Sequence, residues 1–396
     1  MIKRSLRTRL QLLASKFPVV TVTGPRQSGK TTLCRAEFPD KPYVSLEAPD
    51  IREFARLDPR GFLDEHQDGA LLDEVHRVPD LLSYIQTMVD ERPTPGRFIL
   101  TGSANFALLQ SLGQSLAGRT ALLELLPLGL EEVRRFPKAP RELFELLVQG
   151  SYPAVYDRGL EPAEWYPSYV ATYLERDVRL ILNVGDLIAF QTFLRLCAGR
   201  VGQLTNLSAL GADAGVTHGT AKAWLSVLEA GYVAWRLPSF HANLKKRLVK
   251  TPKLHFVDTG LVCYLLGIRS SEQLRDHPLR GMIFETWVAS EILKSRVHRG
   301  LQPNLSFFRD RKGAEVDLVV ELGRSLLAIE TKSGQTIASD FFDGLRVFES
   351  VLASSRHEPQ VRSFVVYGGV EHQRRSRTTV VPWRDLDRCE WWNETA

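Results

Sequence analysis

Three short stretches of this chain carry side chains whose types and spacing suit chemistry on phosphates. The first is GPRQSGKTT, residues 24–32. It fits the pattern Gly-x-x-x-x-Gly-Lys-Ser/Thr with Gly24, Gly29, Lys30 and Thr31 in the fixed places. Glycines there let the backbone of Pro25, Arg26, Gln27 and Ser28 wrap around phosphate oxygens, and a helix N-terminus at Thr31 and Thr32 adds positive potential. Lys30 can reach the β- and γ-phosphates of ATP, and the Thr31 hydroxyl can hold Mg²⁺. The second stretch is GALLDEVHRVPD, residues 69–80, where Asp73 ends an apolar run and Glu74 follows it. Asp73 suits the Mg²⁺ shell, and Glu74 suits orienting an attacking water. The third is LLAIETKSG, residues 326–334, which presents Glu330 and Lys332 two residues apart.

Each stretch needs an element to hold it. VVTVT before the glycine-rich turn reads as a β-branched strand, and the residues after it read as a helix. RFILTGSAN, residues 97–105, reads as a further strand whose end offers Thr101 or Ser103 to sense a γ-phosphate. Arg119 in LAGRT is a candidate arginine finger or sensor. Around the third stretch the pattern predicts a helix over 281–296, strands over 305–310, 314–322 and 325–331, a helix over 339–352, and two late strands. A strand period of two puts Glu330 and Lys332 on one face. Antiparallel pairing through a turn at Gly323 would bring Asp317 beside them, with Glu315 on the same face as Asp317. Asp317 and Glu330 would then hold Mg²⁺ or Mn²⁺, with Lys332 stabilising developing negative charge. Glu285 falls in the apolar sector of its helix near Val288 and Ile292, where a carboxylate needs a partner; Glu291 is the competing choice.

Between these regions, residues 206–235 have helix–turn–helix spacing. A helix from Leu207 to Ala214 meets a turn at Gly215, and Thr217 caps a second helix reaching about Ala230. The exposed face of that second helix offers little beyond His218 and Lys222, which is poor for reading bases. The KKRLVKTPK run, residues 245–253, would form a basic wing that touches phosphates or else a solvated hairpin. From Gln191 to Gly260 there are nine Lys or Arg against three Asp or Glu.

GPRQSGKTT, LLDEVHRVPD, ILTGSAN and LAGRTALLELLPLGLEE together resemble the AAA+-related P-loop ATPases of bacteria and archaea. More narrowly they resemble the group whose C-terminal half is a domain of unknown function. The resemblance continues through GSYPAVYD, YVATYLERDV and KRLVKTPKLHFVDTGL, and so covers nearly the whole chain. It implies a parallel AAA-type sheet with the sensor strand inserted between the P-loop and Asp73 strands. The α-β-β-β-α-β-β order of the last third resembles the restriction-endonuclease-like nuclease core with its Asp…(Asp/Glu)-x-Lys signature. That likeness implies Glu285, Asp317 and Glu330 as metal ligands and Lys332 as a catalytic group.

The expected organisation is an α/β chain in three parts. A P-loop ATPase domain spans 1–135, a helical lid with a winged helix 136–265, and a restriction-endonuclease-like domain 270–396. A chain of 396 residues with 44% hydrophobic and 24% charged residues has the composition of ordinary globular domains. It has no apolar run long enough to span a bilayer. Its four scattered cysteines suggest a reducing, cytoplasmic setting rather than disulfides or structural zinc. A net charge of +5 and a pI near 9.0 lean toward polyanions. Two functions follow: an ATPase cycle controlling a Mg²⁺/Mn²⁺-dependent nuclease-like domain on DNA, bound without sequence preference, or a nucleotide switch that engages protein or DNA through a non-cleaving platform. An oligomer suits either.

Overall fold

A computed structural model describes residues 2–102, 115–174, 186–240, 249–353, 359–375 and 377–393. The chain divides into two compact units. The first is Met1–Leu128 with the short segments Ala230–Tyr232 and Val297–Leu301; the second is the remainder.

In the first unit, five strands form one parallel sheet in the order β2-β3-β4-β1-β5. They are β1 (Val19–Thr23), β2 (Tyr43–Ser45), β3 (Leu71–Asp73), β4 (Phe98–Thr101) and β5 (Thr120–Glu124). All five residues of β1 are buried, which fits its unbroken β-branched run between covered faces. Leu72, Phe98 and Leu100 pack on one core with the helix Leu81–Glu91; Val20, Val22 and Ile99 pack on another with Leu6 and Leu10 of the N-terminal segment. β4 lies between β1 and β3, the insertion that the resemblance implies. Because every pair is parallel, Thr23, Asp73, Thr101 and Glu124 end their strands at one edge. Open parallel sheets bind ligands at that edge.

The second unit contains the two predicted middle helices. Asn206 caps Leu207–Asp213 by accepting from the Ala209 N–H at 3.0 Å, and Gly215 turns the chain with φ near 71°. Thr217 Oγ1 accepts from the Thr220 N–H at 3.1 Å and starts His218–Ala230, which buries Ala221, Trp224, Leu225 and Leu228. His218 and Lys222 are exposed on it. β6 (Ala234–Leu237) then pairs antiparallel with β7 (Lys253–Phe256). Residues 245–248 of the basic run lie outside the described residues.

A six-stranded sheet follows the long helix Arg280–Val297, in the order β12-β13-β11-β10-β9-β8. Its strands are β8 (Leu305–Arg309), β9 (Glu315–Leu322), β10 (Ser325–Lys332), β11 (Gln360–Tyr367), β12 (Gln373–Arg375) and β13 (Thr378–Pro382). The pairs β8–β9, β9–β10 and β12–β13 are antiparallel, and the pairs β10–β11 and β11–β13 are parallel. The amphipathic helix Asp343–Ala353 makes the crossover from β10 to β11 and buries Leu345, Phe348, Val351 and Leu352. β12 is an edge strand that the pattern does not predict. Gly323, with φ near 57°, closes the β9–β10 hairpin, and the register pairs Leu318 with Ile329. Asp317 therefore lies one step before Leu318, at the level of Glu330.

Candidate functional site

The phosphate loop leaves β1 through Gly24, whose φ is near 147°. A Cβ there would come within 2.2 Å of the Leu125 carbonyl oxygen, so the close approach of loop to β5 requires glycine. Gln27 and Gly29 also take positive φ, near 60° and 93°, which curls the backbone into a concave turn before the helix Lys30–Glu37. The Ser28 side chain is buried, and its hydroxyl has no partner among the described residues. Lys30 is buried and its ammonium donates to the Gly24 and Pro25 carbonyls at 3.1 and 2.7 Å. Burial pushes its pKa down to about 8, against the pull of Glu74 and Asp73. A cation satisfied only by two carbonyls gains from an anion.

Sequence reasoning missed the prop beneath this loop. Arg4 is buried and donates to the Ser28 carbonyl at 2.6 Å and the Leu126 carbonyl at 2.8 Å. It ties the loop to the chain after β5. A lone arginine near an N-terminus carries no sequence signal for that role.

Asp73 gathers three hydroxyls. Thr31 Oγ1 donates to its Oδ1 at 2.9 Å, Thr101 Oγ1 donates to the same oxygen, and the Tyr43 hydroxyl donates to Oδ2 at 2.9 Å. Thr31 and Asp73 therefore meet at the mouth of the loop, where Mg²⁺ needs only one or two protein oxygens and keeps its waters. These residues fit a nucleotide's Mg²⁺, and the ion would link the phosphates to them. Of the two sensor candidates, Thr101 stands beside Asp73; Ser103 lies outside the described residues. Thr32 is exposed on the first turn of the helix and Arg26 is half-buried in the loop. Glu74 adopts a left-handed backbone, φ near 58°, and its Oε2 lies 2.9 Å from His76 Nδ1. A non-glycine residue held there is strained, a common mark of a functional position.

Arg119 departs from the expectation of a sensor within its own chain. It precedes Thr120, which pairs with Val19 at the start of β1, so it sits at the opposite end of the strands from Gly24. The five residues of β1 lie between the two ends, roughly 20 Å of strand. Its guanidinium pairs with Asp90, Nε to Oδ1 at 2.5 Å and Nη2 to Oδ2 at 2.9 Å. Arg119 does not line the phosphate site of its own chain.

The second unit brings Glu285, Glu315, Asp317, Glu330 and Lys332 into one neighbourhood. Lys332 Nζ donates to Glu330 Oε1 at 2.7 Å, as a shared strand face requires. Asp317 Oδ2 accepts from both the N–H and the hydroxyl of Thr331 at 2.8 Å. Glu291 stands elsewhere: its Oε2 accepts from the Leu130 N–H at 2.6 Å and its Oε1 from Lys294 at 2.9 Å, a structural pairing. Of the two helix glutamates, Glu285 is the one in the cluster.

One residue changes the reading of the cluster. Lys253, grouped above with the basic wing, is 2% exposed. From the start of β7 its ammonium donates to Glu285 Oε1 at 2.7 Å, contacts Glu315, and lies 3.8 Å from Asp317 Oδ1. Burial works against its charge, but Glu285, Asp317 and Glu315 outweigh it and hold the ammonium protonated. Burial raises Glu285 to about 8, with Lys253 opposing and Asp317 adding. Burial likewise raises Glu330 to about 8, with Asp317 adding and Lys332 opposing. Beside them His255 is fully buried, and burial followed by the Lys253 charge lowers it to about 3. Its Nδ1 meets Thr286 Oγ1 at 3.0 Å. Among the described residues no group of three or more His, Cys, Asp or Glu is arranged to hold a metal ion. Of the expected set, Glu285 is paired with Lys253 and Glu330 with Lys332, so a divalent ion would have to displace those ammonium groups to be held there.

Residues 16–134 match the family model of an AAA domain. Residues 140–272 and 280–386 match two models described as domains of unknown function, DUF8612 and DUF4143. The uncharacterized protein Rv2008c of Mycobacterium tuberculosis is 32% identical over 341 residues, covering 84% of this chain and 74% of that protein; Mb2031c of Mycobacterium bovis matches equally. This chain belongs to their family. Its first unit is an AAA-type P-loop ATPase domain that binds nucleotide. Among solved structures the chain is similar to the Walker-type ATPase PabY2304 of Pyrococcus abyssi, with TM-score 0.44, 17% identity, and coverage of 66% of this chain and 94% of that one. AMPPCP-bound DnaA of Aquifex aeolicus gives TM-score 0.30 and 15% identity over 57% and 85%. Among the described residues no helix is long and apolar enough to cross a membrane.

Proposed function

We propose that ATP hydrolysis in the first unit works as a switch for the second, which engages DNA through its helix–turn–helix region and basic run while its nuclease-like sheet serves as a non-cleaving platform. Lys30 binds the β- and γ-phosphates, Glu74 orients the attacking water, and Thr101 senses the γ-phosphate beside Asp73. The single observation that carries the platform reading is Lys253 seated among Glu285, Glu315 and Asp317. The helix surface favours binding without sequence preference, since His218 and Lys222 are its exposed polar reach. The test is DNA affinity of the full chain with ATP, with ADP and without nucleotide. A nucleotide-dependent change is expected; identical affinity in all three states removes the switch. Neutralising Lys245, Lys246 and Arg247 should weaken binding to all sequences alike and flatten its salt dependence.

A second reading, Mg²⁺- or Mn²⁺-dependent cleavage of DNA, is favoured by Glu330. That side chain is buried, and its Oε2 has no hydrogen-bond partner among the described residues. Cleavage of single-stranded, duplex or branched DNA that disappears in Asp317→Ala would establish it over the platform.

A further inference from the structure

Buried carboxylates in one place must be neutralised by protons, cations or a metal. Here four carboxylates converge, Glu330 from β10 buried and Glu285 from the long helix and Glu315 and Asp317 from β9 half-buried. Two buried atoms of this neighbourhood lack a hydrogen bond among the described residues. One is Glu330 Oε2; the other is His255 Nε2, which lies 3.9 Å from Glu285 Oε1. Oxygen and imidazole donors of this kind suit a cation. The cation present belongs to the chain itself. Lys253 Nζ touches Glu285 and Glu315 and stands 3.8 Å from Asp317, while Lys332 pairs with Glu330. An ammonium is close to a metal ion in charge placement, and two cations cannot share those oxygens.

The position of Lys253 in the chain sharpens the point. It opens β7, whose partner β6 follows the helix–turn–helix region, and Leu204 bridges to it from the loop before that region. The charge is therefore delivered by the middle of the chain to carboxylates of the last third. The helix side is crowded as well: a Cβ at Gly202 would come within 3.2 Å of Glu285 Oε2.

We propose that Lys253 is a resident cation that excludes divalent metal from the Glu285–Asp317–Glu330 cluster, so that removal of its charge turns the cluster into a divalent-cation site. This rests on the platform reading above. It needs neither ATP nor DNA, so its failure is separate from failure of the switch.

The experiment is Mn²⁺ uptake by the full chain without nucleotide, read from loss of the free-Mn²⁺ electron paramagnetic resonance signal, with thermal melting in parallel. Wild type, Lys253→Met and the charge-balanced double variant Lys253→Met with Glu315→Gln are compared, each with and without Asp317→Asn. Wild type should show no uptake that depends on Asp317. The lysine variants should take up one ion, about tenfold or more tighter than wild type, as loss of an adjacent positive charge requires. That ion should raise their melting temperature and be lost with Asp317→Asn. Asp317-dependent uptake in wild type overturns the proposal, and so do folded lysine variants without it. The double variant keeps the net charge and guards against a misfolded single variant. If neither folds, wild type against Asp317→Asn still decides.

Discussion

Two buried lysines, Lys30 and Lys253, stand in opposite circumstances. Lys30 is 6% exposed and among the described residues donates to two carbonyls, and burial moves its pKa down. Lys253 is 2% exposed and meets carboxylates, which move its pKa up despite burial. The same side chain at the same depth is in one place a charge still seeking an anion and in the other a charge already matched. Burial alone does not tell a binding lysine from a structural one; the chemistry of the first oxygen atoms it meets does.

The widest separation should come from Lys30→Ala. Loss of this preorganised cation is expected to lower ATP turnover by at least about 10²–10³-fold with little change in melting temperature. Phosphate release and differential scanning calorimetry read both sides. A variant that melts early but still turns over ATP would put Lys30 in the same class as Lys253.

Glu74→Gln should keep nucleotide bound while slowing hydrolysis by about 10²-fold or more, as loss of a general base does. Binding of a fluorescent ATP analogue beside phosphate release separates the two effects. Turnover near wild type would remove Glu74 from the water-orienting role.

Lys253→Ala should reverse the Lys30 pattern. Breaking a buried ion pair from one side costs about 3–5 kcal/mol, and ATP turnover at a temperature where the variant is folded should be unchanged. Urea unfolding measures the first. A cost below about 1 kcal/mol would mean that the pair is solvated.

The same cluster sets a pH dependence. His255 sits among Lys253, Glu285, Thr286 and Trp235, and its folded pKa of about 3 lies below the ordinary histidine value. The folded state refuses a proton that the unfolded chain accepts. Its contribution to stability is therefore present above about pH 6.5 and is lost as pH falls toward 3, at up to about 1.4 kcal/mol per pH unit. His255→Asn should flatten the acid limb of stability against pH; an unchanged limb would assign acid sensitivity to other groups.

The smallest effect is expected at Arg119. Its pairing with Asp90 is exposed, so Arg119→Ala should leave turnover and melting nearly as in wild type. A collapse of turnover that appears only at protein concentrations where chains associate would place Arg119 on a neighbouring molecule's nucleotide.

Much of the nucleotide site was legible in the sequence because its parts are local: the glycines, Lys30 and Thr31 fall within eight residues, and an apolar run ending in Asp73 marks the neighbouring strand end. The level of Asp317 with Glu330 was legible too, since a tight turn at Gly323 fixes antiparallel register. Four residues were not. Lys253 reads as one more charge in a basic run, because nothing local says that β7 brings it against carboxylates more than 30 residues away. Arg119 reads as a loop arginine near a P-loop, and only the parallel register shows it at the wrong end of the sheet. Arg4 and Tyr43 act through folding partners that no pattern announces.

The three-segment make-up of the first unit has a consequence for how the protein is made. β1 to β5 are complete by residue 124, but the Tyr232 hydroxyl lies 3.2 Å from Thr23 Oγ1, and His298 Nε2 accepts the Leu126 N–H at 3.1 Å. A nascent chain therefore builds the sheet early and receives the last struts behind its phosphate loop only after residue 298 has left the ribosome. Birth order and working order differ. Products ending after β5 carry every residue of the nucleotide signature on a scaffold lacking two of its braces, and most of the second unit has been synthesised before the ATPase is finished.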